Sequence, residues 1–492
     1  MSARSSSQQV RERLDHPVID ADGHVLEFLP AAMPYLRETL GPTLFERYRT
    51  QMSPIGRIMS GATTAERVAT RAPQSAWWGN PAAKTIDLAT ATIPRLLHER
   101  LPELGIDFCV LYPTKTLGTA GVDDQDMRIG LCRGLNAFFA ETYRPYADRM
   151  TVAGVIPMVT PEEAVAELAH CRELGLKVVG LPEGVTRAIP QPDPNSPSPF
   201  LVPGQTHWFD TFGLDSEHDY DPVWQALRDS GFAAVFHGGI GHIAPYTFTS
   251  ISSYVFNHIG FFAERMHRLC KSLFLGGVTR RFPDLNIAFL ECGVAWACSL
   301  LVDIVEHWEK RNLDALRENL DPQLVDWDQF ERLMQEYGGG LLETVDDLRA
   351  SLQDIPAVGV PPSELDEFRH LRVTSKADLR DLFVPRFFFG CEADDRTLSF
   401  AFSPSNAFGA RLQPVFSSDI AHWDVEDMAG VVAEAWGLVD KGVLQPEDFR
   451  DFTFANPAKL FTGTNPDFFE GTAVAHAVRQ LNVSAAVQAG QT

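Results

Sequence analysis

The chain has 492 residues, with 42 Lys+Arg against 65 Asp+Glu, a net charge of −23. Hydrophobic residues make up 45% and charged residues 22%, a globular composition with enough apolar material for a large core. Such an acidic balance, with Arg and Lys scattered rather than clustered, disfavours a nucleic-acid partner.

The N-terminal stretch 1–16 is polar and reads as a flexible arm, without the apolar core of an export signal. The most apolar stretch, 287–302, is broken by Glu291 and falls short of the roughly 20 residues a membrane span needs. Seven cysteines with no CxxC pair fit reduced thiols, and a cytoplasmic location is expected.

Length alone is compatible with about three domains or with one barrel carrying long insertions. Eight short apolar runs follow, at 18–22, 108–112, 151–158, 177–182, 233–237, 286–291, 386–392 and 414–419. Most are continuous rather than alternating, as in parallel strands buried on both faces. Helical signals lie between them. Thr160-Pro161-Glu162-Glu163 supplies a cap and a first-turn Pro before Val165 and Leu168, and Asp221-Pro222 opens a second such segment ended by Gly231.

Strand and helix alternating eight times predict an α/β fold, a (β/α)₈ TIM barrel over 17–470 with helical and loop insertions at about 25–100, 183–222 and 303–383. A tail, 471–492, follows. The runner-up, an open doubly wound sheet, lacks its GxGxxG signature.

In such a barrel the catalytic loops gather at the C-terminal strand ends. The first run ends Ile-Asp-Ala-Asp-Gly-His, placing Asp20, Asp22 and His24 on one face of an extended chain. The later runs end in His237, Glu291, Glu392 and Asp419. Taken singly, a strand-end Asp caps a helix and a strand His is a hydrogen-bonded core residue. Five strands ending this way point instead to a cation, because clustered carboxylates repel one another unless one neutralises them. Glu27 reads as a loop or capping residue.

The stretches DADGHVLE at 20–27, HGG at 237–239, RRFPDLNIAFLECGVAW at 280–296 and SSDIAHWD at 417–424 resemble the amidohydrolase-related branch of the amidohydrolase superfamily. That branch includes aminocarboxymuconate semialdehyde decarboxylase and other metal-dependent TIM-barrel enzymes. The resemblance runs over 18–469 apart from the insertions. It implies one divalent ion (Zn²⁺, Mn²⁺ or Fe²⁺) held by Asp22, His24, His237 and Asp419, with Asp419 also moving a proton. The family's first pair is often His-x-His or Glu-x-His, whereas this chain has Asp22. Where the decarboxylase pattern has a strand-six His near the metal, this chain has Glu291, a candidate base.

These residues suit decarboxylation of a small cyclic or aromatic carboxylate, with Asp419 as proton donor. They also suit hydrolysis by a metal-bound water, and a catalytically silent ligand-binding barrel is the third reading. His242 is a further candidate catalytic residue. Arg386 and Arg265 are candidate clamps for an anionic substrate, with His422, Trp423, Glu392 and Tyr246 as further substrate contacts. Phe387, Phe388 and Phe416 are candidates for an aromatic pocket. The expected partners are a small-molecule substrate and, from the resemblance, a second copy of the chain as a homodimer, with no nucleic acid and no membrane.

Overall fold

The computed structural model describes residues 4–50, 62–76, 84–190, 201, 204–239, 249–352 and 365–489. Among the described residues ten strands appear in chain order. They are β1 (Ile19–Val25), β2 (Phe108–Pro113), β3 (Met150–Val155), β4 (Val178–Leu181), β5 (Val185–Ala188), β6 (His207–Asp210), β7 (Ala234–Phe236), β8 (Ile287–Phe289), β9 (Phe387–Cys391) and β10 (Gln413–Phe416). Eight of them form one parallel sheet in the order β1-β2-β3-β4-β7-β8-β9-β10.

The sheet curls into a nearly closed barrel. Backbone bonds from just beyond β10 reach β1, His24 N to Ile420 O at 3.0 Å and Asp419 N to Asp22 O at 3.1 Å. Each of the eight predicted runs is a barrel strand, and continuous burial explains why: β1, β2 and β9 have no exposed residue. The lumen is filled by large side chains (Phe108, Tyr112, Phe388) against small ones (Ala21, Ala153, Ala288). Phe454, Phe461, Phe468 and Phe469 then plug the end at which the strands begin, with Phe461 stacked on Phe468 at 4.6 Å.

Three features differ from the sequence reading. The arm contains a helix, Ser6–Arg11, seated on the protein: buried Ser7 accepts from Val432 N at 3.0 Å, and Val10 is buried beside it. The tail forms a helix, Ala475–Ala489, anchored by Val474 and Val478 under the barrel. The insertion after β4 contains an antiparallel hairpin, β5–β6, whose half-exposed residues carry no apolar run to announce it.

Among its described residues, the 303–383 insertion contains the helices Leu313–Asn319, Trp327–Tyr337, Leu348–Leu352 and Lys376–Phe383. All seven cysteines are buried free thiols. No described helix is long and apolar enough to cross a membrane.

Candidate metal centre

β1 delivers two donors through an irregularity. Its register against β2 slips between Asp20 and Gly23, so one residue is extra on β1. The 20/22/24 alternation predicted from sequence is therefore broken. Asp20 turns away from the cluster, accepting from Ser418 N at 3.0 Å, Ser418 Oγ at 2.5 Å and Cys109 Sγ at 2.9 Å, and so ties β1 to the segment after β10. Burial raises the Asp20 carboxyl to about 6, opposed by these bonds. Only glycine fits at 23, where a Cβ would meet Asp20 Oδ2 and Cys109 Sγ, both at 2.7 Å.

Asp22 and His24 turn into the mouth and join His237, just past β7, Glu291, past β8, and Asp419 and His422, past β10. The donor atoms fall into two buried groups that share His24: Asp22, His24 and His237, and His24, Glu291, Asp419 and His422. His24 Nε2 lies 3.1 Å from His237 Nε2, 3.6 Å from Asp22 Oδ1, 3.4 Å from Asp419 Oδ1 and 3.7 Å from Glu291 Oε1. His237 Nε2 is 3.5 Å from Asp22 Oδ1 and 3.6 Å from Glu291 Oε2. Ligand atoms about 2.1 Å from a common ion stand about 3.0–3.4 Å apart, close to these separations.

The imidazole tautomers sharpen the point. His237 Nδ1 lies 2.6 Å from the Gly238 carbonyl, and His24 bonds the Tyr112 carbonyl. A carbonyl only accepts, so each ring carries its proton on Nδ1 and presents an Nε2 lone pair to the cluster. Two lone pairs 3.1 Å apart repel unless a proton or a cation lies between them. Neither carboxylate oxygen of buried Asp22 has a hydrogen-bond partner. An ionised carboxylate without donors at zero exposure is costly, and a divalent cation supplies what the protein does not.

The electrostatics show what fills the gap without an ion: burial lowers the His237 imidazole, but Glu291 and Asp22 outweigh it and raise it, so a proton on His237 takes the place a cation would hold. Burial, then His422 and His237, hold the His24 imidazole well below its usual pKa, in the neutral form that ligates. Burial pushes the Asp22 carboxyl up, opposed by His237. Burial and then Glu291, Asp424 and Glu392 push Asp419 well above the usual carboxylate range. At Glu291 burial acts upward, but the imidazoles of His237 and His422 outweigh it and hold the carboxyl low. Glu291 (φ 52°) and Asp419 (φ 52°) both occupy the left-handed region, which costs a non-glycine residue about 1–3 kcal/mol. Their carboxylates are aimed by strained turns rather than by strands.

The remaining sequence candidates separate clearly. His422 is in the cluster itself, its Nδ1 2.5 Å from Asp419 Oδ1 and 3.2 Å from Glu291 Oε1, its ring 3.7 Å from that of His24. Glu392 is exposed at the mouth. Trp423 is half-buried and packs edge-on against Tyr254 at 5.6 Å and His258 at 5.9 Å. Phe262, which meets His258 at 6.1 Å, lies where a Cβ on Gly238 would fall.

Arg265 is buried in an ion pair with Glu183, its guanidinium 4.5 Å from the Phe261 ring centroid. Its charge is already answered. Arg386 precedes β9 and donates to Asn286 Oδ1 at 3.3 Å, at the plugged end of the barrel. Five residues of strand, at about 3.3 Å each, separate it from the mouth, so the substrate-clamp reading of Arg386 is corrected. Phe387, Phe388 and Phe416 are core residues, not pocket walls. His242 and Tyr246 lie outside the described residues. Tyr112 was missed: its ring stacks on His237 at 5.2 Å and floors the site.

Known proteins share part of this chain's sequence pattern and its fold. Residues 99–321 match the model of a family described as amidohydrolase. A search of curated proteins finds no match. Among solved structures, an amidohydrolase from Mycobacterium avium subsp. paratuberculosis K-10 is similar at 14% identity and a TM-score of 0.50, over 91% of this chain and 98% of that one. A 2,6-dihydroxybenzoate decarboxylase from Rhizobium aligns at 15% identity and a TM-score of 0.46, over 91% and 99%. A dihydroxybenzoic acid decarboxylase from Polaromonas sp. JS666, with bound manganese and 2-nitroresorcinol, aligns at 13% and 0.46, over 92% and 99%. The first of these likenesses supports the barrel fold. Residues 99–321, which carry β2 to β8, thus match the family that the chain's motifs resemble.

Proposed function

We propose that the chain is a metal-dependent lyase that removes carbon dioxide from a small cyclic or aromatic carboxylate. The carrying observation is the approach of the His24 and His237 Nε2 atoms to 3.1 Å beside the buried Asp22 carboxylate, neither oxygen of which has a hydrogen-bond partner. Asp22, His24, His237 and Asp419 would hold the ion, with Glu291 and His422 within reach of the same space. Zn²⁺, Mn²⁺ and Fe²⁺ all accept such mixed nitrogen and oxygen ligation. A bound divalent ion supplies Lewis-acid polarisation of a substrate oxygen.

The residues divide the remaining work. Asp419, with His422 Nδ1 2.5 Å away to exchange a proton with it, suits delivery of a proton to the carbon that loses its carboxylate. Glu291, held ionised by His237 and His422, suits charge balance more than proton abstraction. The half-buried Trp423, with Tyr254 and His258, forms an aromatic wall beside His422 on which a flat ring would lie.

Hydrolysis is the second reading. It is favoured by His422, an imidazole 2.5 Å from Asp419, which is the pairing a water-activating base needs. Incubation of metal-loaded protein with a panel of hydroxylated aromatic acids separates the two: decarboxylation releases CO₂. Turnover of esters or amides with no CO₂ from any acid would overturn the lyase reading.

A further inference from the structure

Two residues beyond β1, Glu27 is 4% exposed, and it does not cap its own segment. Its carboxylate crosses to the turn after β2. Oε2 accepts from Thr114 N at 3.2 Å and Lys115 N at 2.9 Å; Oε1 accepts from Thr116 N at 2.9 Å and Thr116 Oγ at 2.6 Å. Lys115 Nζ returns the link by donating to the Glu27 carbonyl at 3.1 Å. Three consecutive backbone N–H groups are thus gathered on one carboxylate, and charge-assisted bonds of this kind are about twice as strong as neutral ones.

What that turn presents is the Thr114 hydroxyl. Thr114 Oγ lies 3.5 Å from His24 Nδ1 and 3.4 Å from His422 Nε2. Those are the far nitrogens of the two adjoining rings, tilted 33° to each other, whose near nitrogens, His24 Nε2 and His422 Nδ1, face the carboxylate cluster. A hydroxyl there accepts from His24 Nδ1–H, which it shares with the Tyr112 carbonyl, and donates to His422 Nε2, so it ties the two rings to each other. Groups that bond the outer nitrogen of a ligating imidazole orient it and tune its basicity.

We propose that Glu27 is a positioning residue of the metal centre, acting by clamping the 114–116 turn so that the Thr114 hydroxyl holds His24 in ligating orientation and His422 against Asp419. This deepens the metal reading given above and rests on it.

Three substitutions isolate the effect. Glu27→Gln keeps the shape but, whichever way the amide lies, turns an NH₂ group toward backbone donors. Thr114→Val removes the hydroxyl at constant shape, and Thr114→Ser restores it. Metal-free wild type and variants are titrated with Co²⁺, reading affinity and the visible absorption spectrum, with thermal unfolding of the metal-free forms in parallel. The expected result is affinity weakened about 10–100-fold, with an altered spectrum, for Glu27→Gln and Thr114→Val, and wild-type behaviour for Thr114→Ser. Wild-type affinity and spectrum in Thr114→Val would overturn the proposal, even if metal-free Glu27→Gln melts earlier, because the turn would then be structural only. If Glu27→Gln does not fold, the Thr114 pair decides alone. Failure of wild type to take up Co²⁺ would sink the metal reading itself, an outcome distinct from equal uptake by wild type and variants.

Discussion

Where the eight barrel strands begin, Phe454, Phe461, Phe468 and Phe469 close the lumen with apolar rings; where the same strands end, Asp22, Glu291 and Asp419 crowd three imidazoles with little water to share. The first end is stable as it stands, since every group buried there gains from leaving water. The second is costly as it stands: carboxylates without donors, imidazole Nε2 atoms 3.1 Å apart, and two left-handed non-glycine residues. The contrast teaches where to look for chemistry in a barrel of this kind: at the end whose own groups fail to satisfy one another.

The comparison breaks most sharply at His237. Replacing it with alanine should leave the barrel folded by circular dichroism while metal content falls toward zero. Turnover should drop by about 10³-fold or more, the scale of several kcal/mol of lost charge stabilisation. Retained metal and turnover would remove His237 from the site. At the other end, Phe461→Ala should cost about 3–5 kcal/mol in denaturant unfolding through the cavity it leaves, with metal affinity unchanged. The two variants should therefore exchange phenotypes, one losing chemistry and the other stability.

A subtler test uses Asp20, which joins β1 to Ser418 beneath the site. Its carboxyl is raised by burial from 3.8 to about 6, so the folded state holds this proton where the unfolded chain has lost it. Its contribution to stability is present in full below pH about 4 and is lost as pH rises through about 6. Metal-free wild type should thus lose on the order of 3 kcal/mol relative to Asp20→Asn across that interval. Parallel stability curves for the two proteins would show that Asp20 is not proton-linked.

The barrel was legible in the sequence because its strands are buried on both faces and so stand out as unbroken apolar runs. The β5–β6 hairpin was not, since residues such as Thr186 and Trp208 are only half-buried and carry no period. Asp22, His24, His237 and Asp419 were legible as polar residues ending apolar runs. Asp20 was misplaced because one extra residue on β1 reverses the side to which it points, and a bulge leaves no mark in composition except the glycine at 23. Arg386 was misplaced because a charged residue flanking a run does not say which end of the strand it occupies. His422 was seen as a substrate contact rather than as a cluster member, although its spacing of three from Asp419 was the available signal. The left-handed turns that aim Glu291 and Asp419 are set by tertiary packing and had no signal at all.

The most direct test is anomalous diffraction from crystals grown with Mn²⁺ or Zn²⁺. One strong peak per chain is expected between the Nε2 atoms of His24 and His237, about 2.0–2.2 Å from each and within bonding reach of Asp22 and Asp419. An anomalous map with no peak in the barrel mouth, or a peak bound elsewhere on the protein, would contradict the account.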